Sequence, residues 1–100
     1  MKTYNELNEN EYRAIELAIR DQNDDDFEPT LAYASVLDED DTVIVAEAAA
    51  MISDNTITTL ITTVVTTNIG TYYIKWRILK TVESTTYTYY HKTRIEVLAM

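Results

Sequence analysis

Strict alternation over residues 72–79 constrains this chain more than any other feature. Large apolar or aromatic side chains occupy every second position: Tyr72, Ile74, Trp76 and Ile78. Side chains along a β-strand point alternately to the two faces of a sheet, so these four share one face, which we expect to be the core face. A helix would place Trp76 and Ile78 on different faces. The pattern therefore predicts a strand with one buried side.

A second strand and a hairpin are predicted near the C-terminus. Ile95 and Val97 alternate with Arg94, Glu96 and Leu98, and the aromatic, threonine-rich stretch TYTYYHKT leads into them. Between the two strands, the polar and β-branched stretch TVESTT suits a hairpin connection.

The central segment TITTLITTVVTT consists almost entirely of β-branched residues. Such side chains pack well on a pleated sheet and disfavour a helix. We therefore predict a strand, preceded by the turn SDN, in which aspartate and asparagine replace the usual glycine. Ile57, Ile61 and Val65 should share one face of the strand, and Leu60 and Val64 the other.

The N-terminal half contains one clear hairpin and two ambiguous segments. LAYASVLDEDDTVIVA predicts two short strands joined by the acidic turn DEDD. The following EAAAM fits either a helical turn or an irregular crossing. Residues 12–20 have apolar side chains at both helical and strand spacing, and we favour a strand because the other strands need an edge partner. Residues 1–10 are predicted to be a flexible N-terminal arm.

Length and composition limit the chain to one domain. One hundred residues can bury a single core but not two. There is no cysteine, so neither disulfides nor a cysteine zinc site can stabilise the fold. Short strands at regular spacing predict an all-β fold, a single β-sandwich of about seven strands over residues 11–100. Since neither a secretory signal nor a membrane-spanning apolar run is present, we expect a protein made in a cytoplasm.

Charge argues against one class of partner and suggests another. A net charge of −9 does not suit a nucleic-acid phosphate backbone. Residues 1–50 carry fourteen acids and three bases, whereas residues 51–100 carry three acids and five bases. A solvated acidic surface is the simplest interpretation. The alternative is that copies, or different subunits, meet acidic surface to basic surface.

No catalytic or cofactor-binding motif is present. His91 is the only histidine, and a general base needs both a partner and a pocket. Serine is scarce and occurs in no G-x-S-x-G motif. We therefore predict that the protein is not an enzyme and binds no cofactor.

The acidic residues 21–26 match a calcium-binding EF-hand loop only in part. The sixth position, which requires glycine, is Asp26, and the position of the bidentate glutamate is Ala32. A looser calcium site between Asp24–Asp26 and Asp38–Asp41 remains as an alternative. The simpler interpretation is that these are solvated turns that keep the sheet edges soluble.

The stretch Asn68-x-Gly70-x-Tyr72-x-Ile74 resembles the D-x-G-x-Y-x-C signature of immunoglobulin-like domains. By this resemblance, Gly70 forms a tight turn into a late strand, and the Tyr72 hydroxyl bonds back to nearby backbone as a tyrosine corner. Ile74 stands where antibody domains have a cysteine, so apolar packing must replace the disulfide. Trp76 lies on the late strand and does not match the tryptophan of the family's early strand. The resemblance implies an immunoglobulin-like sandwich that is not of the antibody type.

A narrower resemblance covers nearly the whole chain. The order of AIELAIRD, DDFEPTLAYASVLDED, GTYYIKWRI and YYHKTRIEV is similar to that in small immunoglobulin-like proteins of tailed bacteriophages. Those proteins are virion components found on heads, necks or tails. One departure is the turn DEDD, where related sequences commonly have a glycine. The resemblance implies a virion localisation, assembly in the host cytoplasm, and portal, capsid or tail subunits as partners.

The residues between the core-facing positions should face outward and form an interface. Tyrosine and arginine together on an exposed sheet are typical of protein interfaces. The alternative is cross-strand pairing that only stabilises the hairpin. The predicted interface residues are Tyr73, Lys75, Arg77, Leu79, Tyr90, Lys92, Arg94 and Leu98.

The sequence thus predicts a structural bacteriophage protein that acts through protein–protein contacts. It would be a homo-oligomer in the particle, at the head–tail connection or as a capsid decoration, with no nucleic-acid or membrane partner. The alternative function is an immunoglobulin-like binding module that recognises a carbohydrate or a host surface through exposed tyrosines.

Overall fold

The computed structural model describes residues 5–19 and 28–99. Within these residues the chain is almost entirely extended, and no helix is long and apolar enough to cross a membrane. The elements are β1 (Asn5–Asn8), β2 (Arg13–Ala18), β3 (Leu31–Asp38), β4 (Val43–Ala49), β5 (Met51–Ser53), β6 (Thr56–Ile61), α1 (Thr63–Thr66), β7 (Gly70–Val82) and β8 (Thr85–Leu98).

The strands form two packed sheets. The larger sheet has the order β1-β8-β7-β3-β4, and the smaller has the order β2-β6-β5. Only β1 and β8 pair in parallel among the described strands. The predicted all-β sandwich is confirmed, with eight described strands where about seven were expected.

The core lies between the sheets and contains the side chains that the alternation on β7 predicted. Ile74 and Trp76 are completely buried, and Tyr72 and Ile78 are less than 10 % exposed. Fully burying one large apolar side chain stabilises a fold by about 1.5–3 kcal/mol. The smaller sheet contributes the buried side chains Ile15, Ile57 and Ile61.

The ambiguous segment near residue 15 is a strand. β2 pairs antiparallel with β6, from Arg13 opposite Ile61 to Ala18 opposite Thr56. Ile15 is buried, whereas the residues on either side of it are exposed. The preference for a strand over a helix is therefore confirmed for the residues of β2.

β1 corrects the prediction of a flexible arm over residues 1–10. It pairs in parallel with the last four residues of β8, and Leu7 is buried in the core. The chain stays docked after β1, because the backbone N–H of Asn10 donates to the carbonyl of Thr66 at 2.9 Å. A single leucine in a polar tetrapeptide has no periodicity that would reveal a strand. Residues 1–4 lie outside the described residues.

The β-branched segment is a strand only in its first half. β6 ends at Ile61, and Thr63–Thr66 forms the helical turn α1, which corrects the expectation that this segment disfavours a helix. Thr62 caps the turn, because its Oγ1 accepts from the backbone N–H two residues later at 3.3 Å. The division of these side chains into two faces was nevertheless predicted correctly: Ile57, Ile61 and Val65 are buried, and Leu60 and Val64 are exposed.

The EAAAM segment contains no helical turn. β4 continues to Ala49, and the chain passes from the larger to the smaller sheet at Ala50 before β5 begins at Met51. At the crossing, the N–H of Ala50 donates to the carbonyl of Ala32 at 2.9 Å. The interpretation as a crossing is the one that the structure supports.

The predicted turns form without glycine. In DEDD, one carboxylate oxygen of Asp38 accepts from the backbone N–H groups of Asp40 at 2.8 Å and Thr42 at 2.9 Å. Asp41 takes a φ of 64°, and Asp54 in the SDN turn takes a φ of 54°. Aspartate tolerates the left-handed region better than most residues. The predicted DEDD hairpin and the predicted SDN turn therefore both form despite the missing glycine.

The chain enters β7 through Gly70, which has a positive φ, and Tyr72 bonds back to the backbone before it. Gly70 begins β7 with a φ of 142°, a conformation that side chains rarely allow. The Tyr72 hydroxyl donates to the carbonyl oxygen of Asn68 at 3.0 Å, which forms the tyrosine corner. Burial raises the pKa of the Tyr72 hydroxyl, and the nearby charge of Asp38 adds to this shift.

Candidate protein-interaction face

The predicted interface residues lie on the side of the larger sheet that faces away from the core, which we call the outer face. They alternate with the buried residues of β7 and with the residues on the other side of β8, and the antiparallel register brings most of them into cross-strand pairs. Leu79 and Leu98 lie towards opposite ends of the paired strands. The central pairs are Tyr73 with Arg94, Lys75 with Lys92, and Arg77 with Tyr90.

Arg77 is held between an aromatic ring and a carboxylate. Its guanidinium carbon lies 4.4 Å from the ring centroid of Tyr33 on β3. Its Nε donates to both carboxylate oxygens of Glu47 on β4 at 3.1 Å, and its Nη2 donates to Oε1 at 2.6 Å. These hydrogen bonds lower the pKa of Glu47 and raise that of Arg77. The guanidinium is fixed in place, so this part of the face is preorganised.

Two lysines on this face lie directly opposite each other. Lys75 and Lys92 are cross-strand partners, an arrangement in which like charges repel. Each ammonium group is placed over a tyrosine, Lys75 at 5.3 Å from the ring centroid of Tyr90 and Lys92 at 5.7 Å from that of Tyr73. Lys92 also pairs with Asp41 at 3.2 Å. Within the described part of the chain, Lys75 forms no ion pair.

The carboxylate of Glu96 lies at one end of the outer face. Oε1 of Glu96 accepts from the Thr71 hydroxyl and from Nε of Arg94, both at 2.8 Å. The Thr71 hydrogen bond and then the Arg94 guanidinium lower the pKa of Glu96. The outer face therefore combines four cations from β7 and β8 with tyrosine rings and with carboxylates from several elements.

Besides Thr71 and Glu96 on β7 and β8, the sequence interpretation missed three contributors to this face from other elements: Tyr33, Glu47 and Asp41. They come from β3, β4 and the turn between them, and no local pattern links them to β7 or β8. Alternation on β3 would have placed Tyr33 opposite Arg77 once the strand order was known. The position of Glu47 depends on the irregular register between β3 and β4, and no sequence pattern predicts that register.

His91 lies on the other side of β8 from the predicted interface. It is the cross-strand partner of Trp76, yet its side chain is exposed, as are those of Tyr87 and Tyr89 on the same side. No described carboxylate is hydrogen-bonded to its ring, so the geometry offers no acid–base pair at this position.

The acidic residues do not assemble a metal site among the residues that the structure describes. In the DEDD turn, Asp38 caps backbone N–H groups and Asp41 pairs with Lys92. The other half of the alternative calcium site, Asp24–Asp26, lies outside the described residues.

An apolar groove opens between β4 and the α1 region. Its volume is about 370 Å³, and its lining includes Ile44, Ala48, Leu60 and Val64. The lining contains no charged or titratable side chain, so the groove can hold an apolar group but offers no catalytic chemistry.

Comparisons with protein-family models, with curated proteins and with solved structures gave no match.

Proposed function

We propose that this protein is a structural subunit of a tailed-bacteriophage particle that acts through protein–protein contacts made by the outer face. The observation that carries the proposal is the Lys75–Lys92 pair, two like charges opposite each other on an exposed sheet and over tyrosine rings. The sequence resemblance to small phage virion proteins is the reason for placing that contact in a phage particle.

The chemistry of the face favours an acidic protein surface as the partner. Opposed lysines cost free energy in the isolated sheet, and a carboxylate placed between them offsets that cost. Tyrosine and arginine side chains are enriched at the energetically dominant positions of protein interfaces. The acidic N-terminal half of another copy has the matching charge, as does an acidic patch on a portal, capsid or tail subunit.

Mass spectrometry of purified particles tests the virion assignment. Particles from a host that produces this chain should contain it at a fixed copy number that survives density-gradient purification. A number near that of a symmetric ring would place it at the neck or tail, and a number in the hundreds would place it on the capsid. Absence from every particle fraction would refute the assignment.

Charge-removing variants test the face itself. The double variant Lys75→Gln, Lys92→Gln should be lost from particles while still folding. The matched control, Met51→Glu with Leu60→Glu, changes the net charge by the same −2 on exposed positions of the smaller sheet. Retention of both variants in particles would refute the contact, and loss of both would show that net charge, and not this face, decides incorporation.

The exposed tyrosines favour one competing function, the carbohydrate-binding module. Tyr90 is 63 % exposed, and aromatic rings on a sheet can stack on sugars. Saturable binding to a glycan that is lost in Tyr90→Ala would support this alternative. A structural subunit should show no such binding.

A further inference from the structure

The β7–β8 hairpin extends beyond the rest of the larger sheet. β3 covers β7 only from Tyr72 to Leu79, and β1 covers β8 only from Ile95 to Leu98. No described strand pairs with Thr85–Thr93 on the side away from β7. This stretch, which we call the β8 edge, is therefore a strand edge nine residues long.

The backbone groups that point out of the β8 edge can be identified. In an antiparallel ladder, the N–H and C=O of every second residue point away from the partner strand. The carbonyl of Leu98 points away from β7, because it accepts from the N–H of Glu9 beside β1 at 2.8 Å. The β7–β8 register has no shift from Gly70 to Val82, so the same orientation applies to alternate residues along β8. The outward set includes Thr86, Thr88, Tyr90 and Lys92.

The first seven residues of the β8 edge lack the features that normally protect an exposed strand, and Lys92 follows them. Natural edges are shielded by lysine, proline, bulges or short length. The stretch Thr85–His91, TTYTYYH, contains no lysine, arginine, acid, proline or glycine, and its ladder with β7 is regular. Threonine and tyrosine have high strand propensity. The edge is therefore suited to pair with another strand.

We infer that the β8 edge pairs antiparallel with the β8 edge of a second copy about a two-fold axis at Thr88. Thr88 is the midpoint of the uncharged stretch Thr85–His91, and it belongs to the outward-pointing set. With the axis there, Thr86 lies opposite Tyr90 of the second copy and both present their backbone groups to each other. The two larger sheets then join into one continuous sheet, and the interface is the same on both sides, as two-fold symmetry requires.

Side-chain complementarity favours a second copy as the occupant. In this register, Tyr87 lies opposite Tyr89 of the second copy, and by symmetry Tyr89 lies opposite Tyr87 of the second copy. Aromatic cross-strand pairs of this kind stabilise sheets. Lys92 lies opposite Ser84 and next to Glu83 of the second copy, so opposite charges meet and like charges do not. The pairing is a property of the isolated chain and is made by the backbone of the β8 edge, where Tyr90 and Lys92 also belong to the outer face. It goes beyond the proposed function and can be tested without particles.

A cysteine scan in the purified full-length chain tests the register. The chain has no cysteine, so each substitution adds a single thiol. Oxidised glutathione should cross-link Thr88→Cys into a covalent dimer much faster than Thr86→Cys or Tyr90→Cys, because only position 88 meets itself at the axis. Equal rates at the three positions would overturn the register.

Charge exchange at Thr88 tests the pairing itself. Wild-type chain should sediment as a concentration-dependent dimer, and Thr88→Lys and Thr88→Glu should each be monomeric because like charges meet at the axis. A mixture of the two variants should recover a dimer. Thr88→Pro removes an outward N–H that makes no bond to β7 and should weaken dimerisation about ten-fold or more, whereas Thr88→Val should not. Fluorescence of the buried Trp76 reports whether each variant is folded. A monomeric wild type at millimolar concentration, or dimers unaffected by Thr88→Lys, would overturn the inference.

Discussion

The indole Nε1 of Trp76 donates a hydrogen bond to Oγ1 of Thr93 at 2.9 Å, on the core side of the β7–β8 pair. Trp76 is completely buried, and the only polar atom of its side chain is satisfied by a side chain from the neighbouring strand. A buried donor without a partner costs about 1–3 kcal/mol. This bond lets a tryptophan occupy the centre of the core without that penalty.

Replacing Thr93 by valine should therefore destabilise the fold by about 1–3 kcal/mol, because valine keeps the shape and removes the acceptor. Urea unfolding followed by tryptophan fluorescence measures the change. Thr93→Ser keeps the hydroxyl and should cost much less. If the serine and valine variants were equally unstable, the hydrogen bond would not be the cause.

The tyrosine corner makes a second prediction. Tyr72→Phe removes the bond from its hydroxyl to the Asn68 carbonyl and should lower the free energy of unfolding by about 0.5–1.5 kcal/mol. Tyr73→Phe on the outer face is the matched control, because no protein hydrogen bond from its hydroxyl is present among the described residues. Equal effects of the two substitutions on the denaturation midpoint would contradict a structural role for the corner.

A substitution at Gly70 tests the effect of backbone strain without steric crowding. Its φ is 142°, yet a Cβ placed on it would meet nothing within 4 Å. Gly70→Ala should therefore destabilise through the backbone alone, by about 1–3 kcal/mol. Ile69→Ala at the adjacent exposed position should change stability by no more than about 0.5 kcal/mol. Thermal unfolding of both variants measures the difference. If Gly70→Ala left the stability unchanged, the backbone at this position would have moved to a conformation that alanine adopts without strain.

Local periodicity was sufficient to predict the core side of β7 and the strand character of β2. Both depend on alternation within one segment, which a single strand contains in full. The β-branched segment shows the limit of this reasoning. Val65 was placed on the buried side correctly, but it reaches the core from a helical turn, because a threonine cap and tertiary packing override strand propensity.

Features that depend on distant pairing could not be predicted. β1 exists because Leu7 packs into the core and its backbone pairs with β8, almost the whole chain length away. The placement of Lys92 over Tyr73 likewise depends on the β7–β8 register and not on either strand alone. The sequence therefore predicted which side chains face outward, but not which ring or carboxylate each cation contacts.

Glu96 makes a prediction about pH. Its folded pKa lies below the ordinary value of 4.5, because the Thr71 hydroxyl and the Arg94 guanidinium stabilise the charged carboxylate. A lowered folded pKa adds stability that is fully present above the unfolded pKa and is lost as the pH falls through the folded pKa. The melting temperature of Glu96→Gln should therefore lie below that of the wild type at pH 7, and the gap should narrow as the pH falls below 4.5. Glu39→Gln, in an exposed turn, is the control. A gap between wild type and Glu96→Gln that stays constant from pH 7 to pH 3 would mean that the lost contact is not ionic.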